Sequence, residues 1–218
     1  MFPPTSSQSI VLTNAIANRD AGLRGADHRL RVIGGRLSGR RFRVPRGEVR
    51  PTSERVREAL FGRLGNLEGV RVLDLYAGSG ALGIEAISRG AVGATFVERE
   101  ANALGVLRAN LATLGIDSVA SVAPGDVPEV VRRLGRAKEC FDLVLIDPPY
   151  GSEEPMRAFE ALVDAAILSP GAMLVLERDR RHASPEVEGL SALDERRYGD
   201  TVVARFVAAQ TESGGDVG

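Results

Sequence analysis

An apolar run in the second half of the chain ends in Asp147, Pro148, Pro149 and Tyr150. Proline has no backbone N–H and cannot continue a strand, so this segment should form a rigid, extended bend with free carbonyl oxygens. The carboxylate of Asp147 and the carbonyl of Pro148 can accept the two hydrogens of a planar amine. The ring of Tyr150 can stack on the heterocycle that carries the amine. We therefore predict that these four residues form the catalytic segment.

A glycine-rich loop at residues 78–83 is the second candidate site. It fits the spacing G-x-G-x-x-G after an apolar strand, and Glu98 follows at the end of the next apolar run. Glycines allow a ligand to approach the backbone closely, and the acid can accept hydrogen bonds from ribose hydroxyls. The pattern alone fits a dinucleotide and other cofactors that contain adenosine.

Asp74 favours one of these cofactors. It ends the strand that precedes the loop, where its charge would repel a pyrophosphate and attract a cation. S-adenosylmethionine carries a sulfonium and an ammonium group and no phosphate, so Asp74 predicts this cofactor over a nicotinamide dinucleotide. A purely structural turn capped by Asp74 stays an alternative at this point.

Alternating strands and helices must position these motifs. The sequence predicts strands at residues 70–75, 94–98, 119–123, 141–147 and 172–177, a closing hairpin of 190–197 with 202–207, and helices at 81–89, 101–114, 126–134 and 154–168. Apolar strands that alternate with helices indicate an α/β fold, a doubly wound and mostly parallel sheet. In such sheets ligands bind beyond the carboxyl ends of the strands, where both motifs lie.

The segment before this sheet is strongly basic. Eleven arginines and three glutamates lie between Arg29 and Arg63, a net charge of +8, whereas the whole chain has a net charge of −1. A basic block on an acidic body is typical of polyanion binding. We predict a hairpin over residues 31–45 and a helix that begins after Ser53, with Arg55, Arg57 and Arg63 facing ligand or solvent. The predicted RNA contacts are Arg31, Arg36, Arg40, Arg41, Arg43, Arg50 and Arg55.

Composition excludes several classes of protein. The single cysteine, Cys140, excludes an internal disulfide, and two separated histidines make a structural zinc site a poor fit, so we expect no metal. No run approaches the roughly 20 apolar residues of a membrane span. We expect a cytoplasmic monomer with a flexible extension at residues 1–28, a basic appendage at 29–65, a catalytic domain at 66–210 and a flexible tail at 211–218. Because no basic residue precedes Arg19, the extension is not predicted to be a signal peptide.

Several segments together are similar to one family. They are residues 31–35 (RVIGG), 50–61 (RPTSERVREALF), 74–90 (beginning DLYAGSG) and 147–150 (DPPY). This combination resembles the bacterial 16S rRNA guanine-N2 methyltransferases, which modify the guanine conventionally numbered 966. The resemblance runs from about residue 31 to about residue 207. It implies the seven-stranded class I methyltransferase fold, a small N-terminal hairpin-plus-helix appendage, and ribosomal RNA or the small ribosomal subunit as partner.

The resemblance also implies roles for single residues. Asp74, Gly78 and Gly80, with the intervening Tyr76 and Ala77, would contact the methionine half of S-adenosylmethionine. Glu98 would hold the ribose, and Asp126 with Val127 would meet the adenine. Asp126 could instead serve only to cap the helix that follows it.

Four other functions compete with this one. An adenine-N6 DNA methyltransferase shares the catalytic segment but usually carries a larger recognition domain than 218 residues allow. Glutamine methyltransferases commonly open the segment with Asn, where this chain has Asp147. A nicotinamide oxidoreductase gives Asp74 and Asp147 no role. A non-catalytic RNA-binding module would not need both motifs.

Overall fold

A computed structural model of the chain describes residues 29–45, 53–149 and 154–209. The helices are α1 (Glu54–Leu64), α2 (Ala81–Ser88), α3 (Ala101–Leu114), α4 (Val127–Arg136) and α5 (Glu154–Asp164). The strands are β1 (Arg29–Arg31), β2 (Arg41–Arg43), β3 (Arg71–Leu75), β4 (Gly93–Glu98), β5 (Ala120–Pro124), β6 (Phe141–Ile146), β7 (Leu168–Asp179), β8 (Leu190–Tyr198) and β9 (Thr201–Ala208). None of the helices within these ranges has the length and apolar character of a membrane span.

Strands β3 to β9 form one seven-stranded sheet in the order β5-β4-β3-β6-β7-β9-β8. The pairs from β5 to β7 are parallel, and β9 runs antiparallel to both of its neighbours. The predicted doubly wound, mostly parallel seven-stranded sheet is therefore confirmed. The strand order reverses between β3 and β6, and ligands bind at such a switch point in open α/β sheets.

Alternation along the central strands builds a core on each face of the sheet. Val72 and Leu143 pack with apolar side chains of α1, α2 and α3, whereas Leu73 and Val144 pack with those of α4 and α5. Successive residues of a strand point to opposite faces, so one strand serves both cores. Continuous apolar runs in β3 and β6 follow from this double burial.

The N-terminal hairpin is present and packs on the first of these cores. Strands β1 and β2 pair antiparallel, with Leu30 opposite Phe42. Val32, Leu37 and Phe42 are buried in the cluster that also holds α1, α2 and α3. The hairpin is thus joined to the seven-stranded sheet and its helices by shared apolar packing as well as by the chain.

The region from α5 to β7 differs from its prediction. Helix α5 ends at Asp164 and β7 begins at Leu168, so the predicted helix over 154–168 is too long and the strand over 172–177 too short. Phe141 of β6 pairs with Leu168 of β7, and the next pair is Leu143 with Met173. The register therefore shifts, because β6 moves on by two residues where β7 moves on by five. This irregularity accommodates Pro170 and Gly171, which locally resemble a break between elements.

Candidate active site

Asp74 lies at the end of β3 beneath the glycine loop. Its side chain is 1% exposed, and its Oδ2 accepts a hydrogen bond of 2.9 Å from the backbone N–H of Gly83 in the first turn of α2. A β-carbon at Gly83 would come within 2.4 Å of Phe96, so only glycine allows this approach. The carboxylate therefore anchors the helix N-terminus, whose N–H groups have no partner within the helix.

Burial raises the pKa of the Asp74 carboxyl well above its ordinary value. The negative charges of Asp147 and Glu98 raise it further, and the hydrogen bond from Gly83 opposes them. A cation bound beside Asp74 would offset this repulsion. The site is therefore arranged to gain more from a positively charged ligand than from a neutral one.

We expect Asp74→Asn to raise the melting temperature at pH 7–8 and to weaken cofactor binding. The pKa of Asp74 is raised in the folded protein, so folding favours the protonated carboxyl. The contribution of this carboxyl to the stability of the fold is complete below its pKa in the unfolded chain and is lost as pH rises through its pKa in the folded protein. Asparagine stays neutral and can still accept the Gly83 N–H. Each kcal/mol added to the free energy of unfolding should raise the melting temperature by about 2–4 °C.

Thermal melts of wild type, Asp74→Asn and the exposed control Asp117→Asn from pH 4 to 8 measure this effect. The stability gain of Asp74→Asn should disappear at the acid end of the range. A variant that is less stable than wild type at every pH would contradict the assignment.

Glu98 connects the glycine loop to the end of β4. It is 8% exposed. Its Oε2 accepts from the N–H of Gly78 at 2.8 Å, and its Oε1 accepts from the N–H groups of Arg99 and Glu100, each at 2.7 Å. A carboxylate has about four acceptor sites, so capacity remains for a ligand hydroxyl. Contact with the ribose stays a prediction.

The loop between β3 and α2 is a tight turn. Tyr76 has a φ of 61°, unusual for a residue with a side chain, and its hydroxyl donates to the carbonyl of Glu154 at 3.3 Å. Burial is the main cause of a raised Tyr76 pKa. The N–H of Ala77 donates to the carbonyl oxygen of Val97 at 3.0 Å. Gly80 has a φ of 84°, and a β-carbon there would lie 2.5 Å from Leu107, which explains the glycine.

Asp126 and Val127 lie at the next strand-to-helix turn along the edge. Val127 is buried at the first position of α4. Asp126 immediately precedes α4, but its side chain makes no capping hydrogen bond to the described N–H groups, so this contact does not support the alternative in which Asp126 only caps the helix. The carboxylate instead lies 3.5 Å from Arg99, which also pairs with Glu154 at 3.1 Å. Asp126 is thus exposed at the mouth of the site.

The catalytic segment begins directly after β6. Asp147 is partly buried, Pro148 is buried and Pro149 is exposed. Tyr150 lies outside the described residues, so its predicted stacking role has no structural description. In the sheet Asp74 is the register partner of Leu145. Asp147 therefore lies two residues further along on the same face, consistent with its effect on the pKa of Asp74.

Glu177 is an acid of this edge that the sequence analysis did not select. It is 6% exposed and follows Leu176, the register partner of Ile146 on the neighbouring strand. Glu177 therefore lies at the edge of the sheet next to the point where the chain leaves β6 for Asp147. The available signal was an acid at the end of the apolar run 172–177, the same pattern that singled out Asp74 and Asp147.

The arginines of the basic block have different environments. Arg36, Arg41, Arg43 and Arg55 are exposed as predicted. Arg31 is also exposed but pairs with Glu54 at 3.1 Å. Arg40 donates to the carbonyls of Leu114 and Thr113, at 2.8 and 2.6 Å, and so caps the C-terminus of α3. Arg50 lies outside the described residues.

Two arginines expected to face ligand or solvent do not. Arg57 is fully buried, donates to the Arg31 carbonyl at 3.0 Å and lies over the Phe42 ring. Arg63 is bound to Asp194 at 2.5 Å. The prediction that they are available was wrong, because both lie beside the apolar stripe of α1, where the hairpin covers Arg57 and Asp194 of β8 binds Arg63.

Comparison with known proteins places the chain in a family. A family model described as Conserved hypothetical protein 95 matches residues 30–207. Ribosomal RNA small subunit methyltransferase D of Escherichia coli K12 is 34% identical over 191 residues, which are 86% of this chain and 94% of that protein.

Solved structures agree with this match. The Escherichia coli protein yhhF has a TM-score of 0.76 and 32% identity, with 84% of this chain and 99% of that chain covered. An RNA methyltransferase from Salinibacter ruber, solved with S-adenosyl-L-homocysteine, shares the fold with a TM-score of 0.57 at 17% identity, over 73% of this chain and 94% of that one. These matches confirm the resemblance drawn from the motifs, and the chain belongs to the family described as Conserved hypothetical protein 95.

Proposed function

We propose that this protein transfers a methyl group from S-adenosylmethionine to the exocyclic N2 amine of a guanine in 16S rRNA, the guanine conventionally numbered 966. Family membership and the 34% identity to a ribosomal RNA small subunit methyltransferase support an rRNA methyltransferase. The observation that carries the chemistry is that Asp147 follows β6 directly, near Asp74 of the neighbouring strand, at the switch point of the sheet.

The residues around this point suit S-adenosylmethionine. Asp74 and Glu98 bring negative charge to the loop where a sulfonium and an ammonium would lie. When bound, the cofactor supplies an electrophilic methyl group, so the protein needs to provide orientation and electrostatic stabilisation rather than a nucleophile.

The catalytic segment can provide both. The amine of guanine is a poor nucleophile because its lone pair is delocalised into the ring, and positive charge develops on the nitrogen as the N–C bond forms. The Asp147 carboxylate and the Pro148 carbonyl, held rigid by the two prolines, would stabilise that charge. Two acceptors also fix the direction of the lone pair, and orientation of this kind lowers the barrier further.

Glu177 gives a reason to prefer guanine over adenine. Guanine presents N1–H and N2–H donors on its Watson–Crick edge, whereas adenine presents an acceptor at N1. Glu177, at the same edge of the sheet, would accept from N1–H while Asp147 accepts from the amine. An adenine in the same pose would set its N1 lone pair against a carboxylate.

A parallel transfer assay tests this proposal. Unmodified small-subunit rRNA, duplex DNA and a protein extract are each incubated with the enzyme and radiolabelled S-adenosylmethionine. We expect label in the RNA alone, and N2-methylguanosine after nuclease digestion and mass spectrometry. N6-methyladenosine, or label confined to DNA or protein, would refute the proposed substrate. Calorimetric binding of NAD without binding of S-adenosyl-L-homocysteine would refute the cofactor.

The exposed arginines of β2 should contribute salt-dependent RNA affinity. We expect the double variant Arg41→Ala/Arg43→Ala to bind rRNA more weakly and to flatten the slope of log affinity against log salt. Each lost phosphate contact removes about 0.7–0.9 from that slope, so the change should be about 1.4–1.8. Because phosphate contacts carry no base identity, the methylated base should not change.

Binding measured from 50 to 300 mM salt provides the test, with Arg132→Ala/Arg133→Ala on the exposed face of α4 as a control of equal charge. Arg40 is left intact because it caps α3. If the β2 variant and the α4 control had the same slope as wild type, the RNA would be held by other residues.

A further inference from the structure

Asn110 on α3 lies between the basic hairpin and the cofactor loop. It is 2% exposed. Its Oδ1 accepts from the N–H of Arg43 at 2.8 Å, and its Nδ2 donates to the carbonyls of Arg43 and of Ser79, each at 2.9 Å. The Asn110 side chain thus binds the backbone N–H and carbonyl of Arg43, at the end of β2. It also binds the carbonyl of Ser79, in the middle of the glycine loop.

These three bonds leave the amide little freedom. Both N–H donors of Asn110 are occupied, and a buried amide that lost a partner would not find water in its place. Ser79 is itself only 1% exposed. A displacement of the Arg43 backbone must therefore displace the Ser79 carbonyl or break a buried hydrogen bond.

The surrounding contacts reinforce the same connection. Leu107, one helical turn before Asn110, lies where a β-carbon on Gly80 would come within 2.5 Å of it. Arg40, which immediately precedes β2, donates to the last carbonyls of α3. Helix α3 is thereby attached to the hairpin at two points and to the glycine loop at two points.

We propose that Asn110 is a positioning residue that couples RNA binding on the hairpin to cofactor binding on the glycine loop. The inference rests on the proposed function. Phosphates that engage Arg41 and Arg43 restrain β2, and Asn110 passes this restraint to Ser79, so the loop is ordered before the cofactor arrives. Ordering that one ligand has already achieved strengthens binding of the other, and the coupling is reciprocal.

Calorimetry measures the coupling as a ratio. The dissociation constant of S-adenosyl-L-homocysteine, which cannot react, is determined with and without saturating unmodified small-subunit rRNA transcript. For wild type we expect RNA to tighten binding by about 5-fold to 150-fold. For Asn110→Ala the ratio should fall to about 1, whereas Asn102→Ala, at an exposed position of the same helix, should keep the wild-type ratio.

A merely structural role predicts a different pattern. In that case Asn110→Ala would weaken binding by the same factor with and without RNA, and the unchanged ratio would overturn the proposal. A wild-type ratio of 1 would also overturn it without any variant. If Asn110→Ala does not fold, Asn110→Asp, which keeps the acceptor for Arg43 and loses both donors, should give the low ratio instead.

Hydrogen exchange in wild type provides an independent measurement. RNA alone should slow exchange of the loop amides at Ser79 and Gly80, and unchanged exchange in the RNA-bound protein would contradict the proposal. The transfer assay separates the two levels of inference. Methylated rRNA with a coupling ratio of 1 refutes only the role of Asn110, whereas absence of methylation both of naked rRNA and of rRNA assembled in small subunits refutes the function itself.

Discussion

Asp147→Ala should reduce methyl transfer by on the order of 10²–10³ while the fold and the affinity for S-adenosyl-L-homocysteine stay close to wild type. The loss of one preorganised group that faces developing charge has effects of this size. Asp147 lies after the last residue of β6, so the sheet hydrogen bonds of that strand do not depend on its side chain. The effect should therefore appear in turnover rather than in stability.

Single-turnover rates with saturating cofactor and RNA measure this change directly. Asp147→Asn keeps one acceptor and removes the charge, so a rate between those of wild type and Asp147→Ala would assign part of the effect to charge. Asp164→Ala, at the exposed end of α5, controls for the removal of a carboxylate. Turnover of Asp147→Ala within about threefold of wild type would exclude the role given to this residue.

Glu85→Ala should be the most destabilising of the substitutions considered. Glu85 is fully buried in α2. It accepts from the N–H groups of Ile33 and Gly34, each at 2.8 Å, and from Arg89 at 2.7 Å. Alanine would leave two part-buried N–H groups and a guanidinium without their acceptor. Loss of one partner of a buried ion pair typically costs about 3–5 kcal/mol.

The segment that Glu85 holds lies in close contact with the end of α2. Gly35 has a φ of 75°, and a β-carbon there would lie 1.8 Å from the carbonyl oxygen of Ser88. Ser88 also receives the N–H of Leu37 at 3.0 Å. The hairpin is therefore seated on the end of α2 by close backbone contact, and loss of the Glu85 carboxylate removes the anchor of that contact.

Urea denaturation of wild type, Glu85→Ala, Glu85→Gln and the exposed control Glu160→Ala tests the assignment. Glutamine keeps one acceptor and should cost less than alanine, and the control should change the free energy of unfolding by less than about 0.5 kcal/mol. In thermal melts Glu85→Ala should lower the melting temperature by about 2–4 °C for each kcal/mol. A loss below about 1 kcal/mol would show that the Glu85 carboxylate is not the anchor of the hairpin.

Much of the sheet was predictable because its signals are local. The predicted helix over 101–114 has the observed bounds of α3, since Gly115 in a left-handed conformation ends it. Ser53 caps α1 by accepting from the N–H of Val56, as a serine before a helix indicates. The prediction was wrong around Pro170 and Gly171 because it used only local signals. These two residues indicate a break between elements, but pairing with β6 continues the strand through them.

The acids and glycines of the candidate site could be predicted from the sequence. The side chains that connect them to the rest of the fold by hydrogen bonds could not. Asp74, Glu98 and Asp147 each end an apolar run, so the order of chain elements already brings them to one edge of a parallel sheet. Glu177 has the same pattern and was missed. Asn110 and Glu85 carry no motif at all, since an asparagine or a glutamate inside a helix is usually solvent-exposed.

The sequence by itself determined the α/β class, the turn glycines, the position of the chemistry at the strand ends and the family. These properties depend on residue types within a few positions of one another and on their period. Only the tertiary structure decided which arginines remain exposed and which side chains connect the parts. Arg40 meets Leu114, Asn110 meets Arg43 and Arg63 meets Asp194 across 74, 67 and 131 residues of chain. Contacts of that range follow from how the helices pack on the sheet, which no local pattern of residues specifies.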